Sequence, residues 1–450
     1  MISLQKVHTG QTSQPFQVKD QITIDPVSRA TKLRVICKGD QHARDKNSAS
    51  IKGPGKLFED HMERFSKEDD SIHNVLVENG DTWDLIASGK REAPPFGKGG
   101  SLPNPKLEYG VLEKIISDNR KIIKTYRNFL RASRHNEIVF NEGNHDRPLF
   151  HIDNTESRLL LAQSILPEAS IEELERRFHY GQSCVIPAVG IYAKHCHDLD
   201  PFNYSRKGEN TKGDWVVITS NSIVNTLISE LQANNLEPFV LEKALTSVER
   251  TLRIRPPIAF PIYLQYEAKR LFEENGYSDI TSVNKAKEIM MSYSNEFRNH
   301  LLDLSLFKTL RKNGFLPDWL IQFAFGESMQ QIGARLISIV ESWFSDNNEV
   351  QIEEAQKIHK KCNREGMLIT HFVGSHTHAP NRDERLIYGE SIISITLPAW
   401  TPFKEVINGH PLGSVHPSGL FVSEVDLTIP AKRRKASYER TIVETWNKRV

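Results

Sequence analysis

Cysteine is scarce in this sequence, and the spacing of the few cysteines argues against a disulfide-rich secreted protein. Four cysteines occur in 450 residues, and none of them forms a Cys-x-x-Cys pair. This usage excludes the dense disulfide framework that stabilises many small secreted proteins. Residues 1–20 also lack the apolar segment of a signal peptide. The sequence therefore predicts a reduced environment and a cytoplasmic location.

Long hydrophobic runs and an excess of one charge are also missing. The longest uncharged runs, such as residues 391–403, contain proline and are too short to span a bilayer. The 58 basic and 57 acidic side chains leave a net charge of +1, which argues against a general nucleic-acid binder because such proteins usually carry a basic face. The basic run 432–435 is read as a solvated face. We expect no membrane span, and no sequence feature indicates an oligomeric state.

Short apolar, β-rich runs that each end in a polar cluster are the main pattern of the sequence. These runs cover residues 33–37, 74–79, 137–141, 189–194 and 367–373. Amphipathic stretches such as residues 111–132 lie between the first three of them. Alternation of strand and helix predicts an α/β sheet with crossovers. In such sheets the functional residues gather on loops beyond the strand ends.

Changes in pattern along the chain predict five regions. They are an N-terminal arm (1–30), a first part of the core (31–220), a helical insertion or cap (221–365), a second part of the core (366–429) and a basic C-terminal tail or helix (430–450). The insertion is predicted because helical periodicity fills its range, and only residues 253–261 interrupt it. The Gly- and Pro-rich residues 86–107 predict a long loop close to the site.

The polar clusters after the five runs consist of residue types that bind metal ions. They contain Asp40, His42, Asp81, Asp84, Asn144, His145, His195, His197, His376 and His378. Carboxylate oxygens, an amide oxygen and imidazole nitrogens together suit Mn, Fe, Zn or Ni. The set is too large for one ion and sufficient for two ions that share a bridging carboxylate. Two such ions activate a water molecule and clamp the oxygens of a phosphoryl displacement.

The order and spacing of these clusters resemble the calcineurin-like metallophosphoesterases. The motifs of that family run D-x-H, G-D-x-x-D, G-N-H-D/E, G-H or H-G, and G-H-x-H, and here they correspond to residues 40–42, 80–84, 143–146, 195–197 and 374–378. The resemblance covers about 31–205 and 366–400. It implies a four-layer αββα sandwich, and it does not cover the large helical insertion (221–365) that the helical periodicity predicts. The G-D-x-V-D-R-G sequence of the protein Ser/Thr phosphatases is absent, so that subgroup is not indicated.

The resemblance also implies a set of metal ligands. One ion would be held by Asp40, His42 and His378, the other by Asn144, His195 and His376, and both would be bridged by Asp81. Serine occupies position 375, where the family usually has glycine. In the fourth cluster either His195 or His197 can supply the ligand, and the family's use of the first histidine favours His195. Two divalent ions per chain are implied, with Mn favoured over Fe, Zn and Ni.

Catalytic and substrate-binding roles follow from the same resemblance. His145 would act on the leaving-group oxygen or the transferring phosphoryl group, and Asp84 would orient it. Arg147, which follows the GNHD cluster, is a candidate phosphate contact because a guanidinium offers forked donors. His197 and Asn203 are further candidate substrate contacts.

Three neighbours of these residues are predicted to serve the structure. Trp83 and His371 are expected to pack in the core. Asp146, the last residue of GNHD, is expected to brace its loop by capping the turn or helix that follows.

The implied activity is that of a metal-dependent phosphohydrolase. It would cleave a P–O bond in a phosphomonoester, phosphodiester or pyrophosphate, with a hydroxide bridging two divalent metals. A small or medium phosphorylated substrate is expected, because the near-zero net charge offers no track for a polyanion. One alternative is a metal-dependent nuclease acting on DNA or RNA. A second alternative, a catalytically silent metal-stabilised binding module, is disfavoured because the ligands and His145 are all present.

Overall fold

The protein has a mixed α/β structure with two β-sheets, both of them mostly parallel. The computed structural model describes residues 15–45, 55–85, 88, 105–199, 223–224, 226–252, 254–255, 260–273, 279–302, 347–376, 393–397, 403–407, 410–430 and 437–447. Within these ranges, no helix has both the length and the apolar character that a membrane crossing requires.

The described strands vary in length from short bridging segments to a long hairpin. In chain order they are β1 (Val18–Lys19), β2 (Ile22–Thr23), β3 (Lys32–Lys38), β4 (Ile72–Asn79), β5 (Glu137–Asn141), β6 (Phe178–Gly181), β7 (Ser183–Ile186), β8 (Ile191–Lys194), β9 (Ile254–Arg255), β10 (His371–Gly374), β11 (Ile393–Thr396), β12 (Phe403–Ile407), β13 (His410–Asp426) and β14 (Ser437–Asn447). The first sheet has the order β1-β6-β5-β4-β3-β13-β12-β9, with β14 also paired to β13. The second has the order β11-β10-β8-β7-β2.

The α-helices lie mainly between strands of the first sheet and in the middle of the chain. They are α1 (Gly55–Met62), α2 (Pro105–Asp118), α3 (Arg120–Arg131), α4 (Thr155–Ile165), α5 (Ile171–Arg177), α6 (Pro238–Leu252), α7 (Phe260–Glu273), α8 (Ile280–Leu302) and α9 (Asn347–Arg364). Short 3-10 helices include Arg147–Phe150 and His197–Leu199. The described part of 221–365 is thus largely helical, and the division into core and insertion stays a prediction.

Alternation along the central strands explains how the two sheets pack. In β3, Leu33, Val35 and Cys37 face the second sheet and share a core with its residues Ile191 and Val373. Because successive side chains of a strand point to opposite faces, Ile36 and Leu76 of β3 and β4 face the other way. There they pack against helices α1 to α4, whose core residues include Phe58, Leu112, Tyr126, Phe129 and Leu161.

Helix α9 covers the outer face of the second sheet. Its residues Ala355 and Cys362 form a core with Val185, Tyr192 and Phe372 of that sheet. Helices therefore lie on both outer faces of a pair of facing sheets. Burial on both faces accounts for the continuous apolar runs of β3, β4 and β5, which are typical of parallel sheets.

The strand predictions agree with the structure, apart from omissions and one difference at the C-terminal end. All five apolar runs overlap a strand, and 137–141 matches β5 residue for residue. Strands β1, β6, β7, β9 and β12 were not predicted from the sequence. Where a tail or helix is predicted over 430–450, residues 437–447 form β14, which pairs antiparallel with β13 along its whole length. The ladder to a long neighbouring strand stabilises this conformation, and local periodicity does not reveal it.

Candidate functional site

The predicted polar clusters come together at the carboxyl ends of the central strands. Asp40, Asp81 and Asn144 follow β3, β4 and β5, which pair in parallel and therefore end at the same edge. His195 and His376 follow β8 and β10, which are parallel neighbours in the second sheet. Residues that are far apart in sequence thus share one edge of the molecule, where α/β folds commonly place their sites.

His195 joins the loops of the two sheets. Its Nε2 atom lies 2.9 Å from Asp40 Oδ1 and 3.4 Å from Asp81 Oδ2. The other oxygen of Asp40 accepts a hydrogen bond of 2.9 Å from the backbone N–H of His376. Asp40, Asp81 and His195 have no exposed surface. The carboxylates of the first sheet and the imidazoles of the second therefore form one buried cluster.

The first two loops are locked together by backbone hydrogen bonds beyond the ends of their strands. The N–H of His42 donates to the carbonyl of Asp81 at 2.7 Å, and that of Ala43 donates to Thr82 at 3.0 Å. The N–H of Asp84 donates in return to the carbonyl of Ala43 at 2.9 Å. The register of β3 and β4 is therefore carried into the loops, which fixes the spacing between the side chains of the two clusters.

Several residues of the cluster have a left-handed backbone conformation, which is unusual for residues other than glycine. The φ angles are +33° at Asp40, +48° at His42, +51° at Asp81, +74° at Cys196 and +82° at His376. Such conformations cost free energy and persist only where the surrounding structure enforces them. Their concentration at this edge indicates that the loops are shaped to present side chains rather than to minimise strain.

Two motif glycines are required by close approach of the cluster residues. A Cβ atom at Gly80, whose φ is +88°, would overlap the ring of His195. A Cβ atom at Gly143 would overlap the carboxylate and backbone nitrogen of Asp81. The glycines of GDTWD and GNHD are thus explained by packing against neighbouring site residues.

Three overlapping groups present ligand atoms that lie within 4.8 Å of one another. They are Asp40, His42 and Asp81; Asp81, His195 and His376; and His42, Asp84 and His145. Asp81 belongs to the first two groups. Its Oδ2 atom is buried and accepts no hydrogen bond from any described residue, although a buried carboxylate oxygen is normally satisfied. Such an oxygen among imidazoles and carboxylates fits a divalent cation of the borderline class.

Asp84 holds His145 through a short hydrogen bond. The Nδ1 atom of His145 lies 2.7 Å from Asp84 Oδ1. The other oxygen of Asp84 accepts a bond of 2.5 Å from Arg44 Nε and lies 3.3 Å from His42 Nδ1. The backbone N–H of His145 also donates to Asp81 Oδ1 at 2.8 Å. These contacts fix the orientation of the His145 ring.

Charge around this pair favours an imidazolium and a carboxylate. Burial alone would raise the pKa of Asp84, but Arg44 and His145 hold that pKa well below its usual value. Burial would likewise lower the pKa of His145, and the carboxylates of Asp84 and Asp81 outweigh it and raise that pKa. Each charged form therefore stabilises the other in the interior.

The two histidines of the fourth cluster occupy different environments. His195 points Nε2 at the carboxylates, whereas its Nδ1 lies 3.2 Å from His197 Nδ1. Burial opposes the charged form of His195, but Asp81 and Asp40 raise its pKa well above the usual value. Burial and the nearby His195 lower the pKa of His197 well below it. The geometry thus places His195 among the ligand groups and His197 behind it.

The remaining predicted residues are placed less closely. Asn144 is buried and precedes His145 on the same loop. Arg147 lies at the start of the 3-10 helix Arg147–Phe150, with Nε 3.3 Å from Glu142 Oε1. His378 and Asn203 lie outside the described residues.

Asp146 braces its loop as predicted, but it does so through different hydrogen bonds from those expected. Its carboxylate accepts hydrogen bonds from the backbone N–H groups of Gly143 at 2.8 Å and Thr82 at 2.9 Å. It therefore ties the GNHD loop to the GDTWD loop, and it makes no capping hydrogen bond to the helix that follows. Burial and the neighbouring Asp81 raise its pKa to about 7.

Trp83 and His371 both pack as expected. Trp83 has no exposed surface and lies 6.1 Å from the ring of Tyr126. His371 is buried against Phe421, with 5.6 Å between ring centroids.

Arg44 is the site residue that sequence reasoning missed. Its position two residues after His42, a proposed ligand, was the available signal.

Models of known protein families and curated proteins were compared with the chain, and neither comparison finds a match. The geometry of the site is therefore the basis for assigning a function.

Proposed function

We propose that this protein is a metal-dependent phosphohydrolase of the calcineurin-like metallophosphoesterase type, cleaving a P–O bond. The convergence of separate loops on Asp81, which belongs to two ligand groups at once, carries this conclusion. A carboxylate shared between two sets of imidazole and carboxylate ligands suits a pair of divalent ions. A lone structural metal site would not need the second set.

The residues that would hold the ions divide around Asp81. Asp40 and His42 would serve one ion, and His195 and His376 the other, with Asp81 common to both. Asn144 and His378 complete the two sets by family resemblance. When bound, divalent ions supply Lewis-acid chemistry, which acidifies a water molecule and neutralises charge on phosphoryl oxygens. The mixed nitrogen and oxygen donors favour Mn, and they also suit Fe, Zn or Ni.

His145 is the proposed general acid. Asp84 occupies its Nδ1 atom, which leaves Nε2 as the nitrogen that can meet a substrate. Despite burial, the carboxylates of Asp84 and Asp81 raise the pKa of His145, which favours the protonated ring. Nε2 would donate that proton to the leaving-group oxygen as the P–O bond breaks. Until the proton is transferred, Asp84 stabilises the imidazolium and holds the ring in one orientation.

The proposed fold is a four-layer αββα sandwich in which residues 221–365 form a helical insertion. Helices on both outer faces of the facing sheets support this architecture. The proposed substrate is small or medium in size and phosphorylated, with Arg147, His197 and Asn203 as candidate contacts. The near-zero net charge of the chain supports this choice over a nucleic acid.

Metal content and hydrolysis, measured on the same protein preparations, test this function. Wild type, Asn144→Ala and His145→Ala would be loaded with Mn²⁺ and assayed with p-nitrophenyl phosphate and bis-p-nitrophenyl phosphate. We expect Asn144→Ala to lose metal. His145→Ala should keep its metal and lose rate by about 10²–10⁴-fold, the usual contribution of a general acid.

Two results would contradict the proposal. One is wild-type protein that binds Mn²⁺ without hydrolysing either ester, which would favour a silent binding module. The other is full activity in His145→Ala. Turnover of single-stranded DNA with a steep salt dependence would instead identify a nuclease, because phosphate contacts by Lys and Arg release counterions.

A further inference from the structure

A fully buried ion pair lies beneath the loops of the candidate site. Lys38 is the last residue of β3, Glu78 is the penultimate residue of β4, and the two are register partners in the parallel ladder. Lys38 Nζ lies 2.5 Å from Glu78 Oε2, and the side chains are 0% and 1% exposed. The ring of Phe58 covers the ammonium group at 4.7 Å from its centroid. The pair thus lies on the helix-covered face of the sheet, away from the facing sheet.

The ion pair reaches both ligand loops through two further side chains. Gln41 Oε1 accepts hydrogen bonds from Lys38 Nζ and, at 3.2 Å, from Tyr126 Oη. Thr82 Oγ1 donates to Glu78 Oε2 at 3.3 Å. Gln41 stands between two proposed metal ligands, and Thr82 directly follows the bridging one. One buried network therefore contacts the first loop and the second loop immediately beside their ligands.

Stability alone gives no reason for this pair. Removing two charges from water costs free energy, and well-packed apolar residues of similar size often replace a buried ion pair without loss of stability. The adjoining backbone, in contrast, has positive φ at Asp40, His42 and Asp81. Strained loops need directional contacts that define one geometry, and hydrogen-bonded charges provide direction where apolar packing does not.

We propose that Lys38 and Glu78 are positioning residues that set the geometry of the first two ligand loops through Gln41 and Thr82. This inference rests on the proposed function of the site above them. It predicts that the pair affects metal affinity separately from stability. Residues that orient metal ligands typically change affinity by about 10–100-fold when they are replaced.

The test separates the two effects with a double substitution. Lys38→Met/Glu78→Leu removes the charges and keeps the volume, whereas Lys38→Met and Glu78→Gln each leave one member. Arg177→Met is the matched control, because Arg177 is also buried and lies at the opposite ends of the strands, where it donates to the carbonyls of Asn136 and Ser133. Thermal melting, Mn²⁺ titration calorimetry and ¹³C-labelled histidine spectra of the metal-free proteins would be recorded for each.

We expect the double variant to melt near the wild-type temperature, to bind Mn²⁺ about 10–100-fold more weakly, and to show shifted signals for His42 and His195. Arg177→Met should melt earlier and keep both affinity and signals. Wild-type affinity and unshifted signals in the double variant would overturn the proposal, leaving the pair a structural feature only. If the double variant does not fold, the same readouts on Glu78→Gln decide. A wild type that binds no Mn²⁺ would refute the proposed function, and the histidine signals would still decide this inference.

Discussion

Histidine and carboxylate side chains meet at both ends of the central strands, but the two clusters differ in their contacts and in their backbone conformation. At the amino ends, Glu137 of β5 lies between His73 of β4 and His179 of β6. Its Oε1 is 3.1 Å from His73 Nε2, and its Oε2 is 2.8 Å from His179 Nε2. Glu137 thus shares a hydrogen bond with His179 and lies within ion-pair distance of His73. At the carboxyl ends, Asp81 Oδ2 is buried and accepts no hydrogen bond from the described residues, and it lies 3.4 Å from His195 Nε2 and 3.7 Å from His42 Nε2.

The backbone conformation also differs between the two ends. None of His73, Glu137 and His179 has a positive φ, whereas Asp40, His42 and Asp81 do. Residue types alone thus do not distinguish a structural ion pair from a ligand site. The strained backbone is the feature that separates the two ends, because positive φ at such residues persists only where the surrounding structure enforces it.

Replacing the central carboxylate at each end should give the largest contrast. Asp81→Asn removes the charge shared by two ligand groups, so we expect loss of bound metal. We also expect hydrolysis to fall by about 1000-fold or more, since metal catalysis supplies several kcal/mol of transition-state stabilisation. Glu137→Gln should keep metal content and rate within about twofold, because its histidines belong to no ligand group. Equal losses in both variants would erase the distinction between the two ends.

The amino-end pair should be visible in the pH dependence of stability. Burial opposes ionisation of Glu137, but the neighbouring His179 and His73 lower its pKa from 4.5 to about 2. Because the folded pKa lies below the unfolded one, the carboxylate stabilises the protein above about pH 4.5, by about 3 kcal/mol. This contribution is lost as the pH falls towards 2.

Urea unfolding of wild type and Glu137→Gln between pH 2 and 6 measures this contribution. The difference in unfolding free energy should be largest at pH 6 and shrink towards pH 2. His179→Ala is a useful companion, since it removes one partner and should raise the pKa of Glu137 towards 4.5. A difference that is constant with pH would contradict the assignment.

A pair of glycine substitutions should give the smallest and sharpest effect. Gly80→Ala and Gly366→Ala both introduce a side chain at positive φ, at +88° and +80°. Each should cost about 1 kcal/mol of stability from backbone strain. The new methyl group would overlap His195 at Gly80 but meets nothing within 4 Å at Gly366.

Only Gly80→Ala should therefore weaken Mn²⁺ binding, by about tenfold. Isothermal titration and thermal melting of the two variants separate strain from displacement of the ligand. Equal Mn²⁺ affinity in both variants would show that His195 does not bind the metal.

Much of the fold could be predicted because the core strands are buried on both faces. The continuous apolar run 137–141 then coincides with β5, and 74–79 covers all but the first two residues of β4. Strand β14 could not be predicted, since its conformation depends on the long ladder with β13. The ligand candidates were likewise readable, because polar residues that end buried strands must lie at one edge of a parallel sheet.

Sequence by itself determined the chemistry available at the site. The order of the clusters along the chain identifies the candidate ligands, which include Asp40, His42, Asp81 and His195. Glycines lie beside them where the chain passes close to another site residue. Only the tertiary structure decided which atoms are engaged. The contacts of Arg44 with Asp84, of Lys38 with Glu78 and of His195 with Asp81 all join separate segments. Hydrogen bonding and burial depend on distances in space, and local sequence patterns do not encode them.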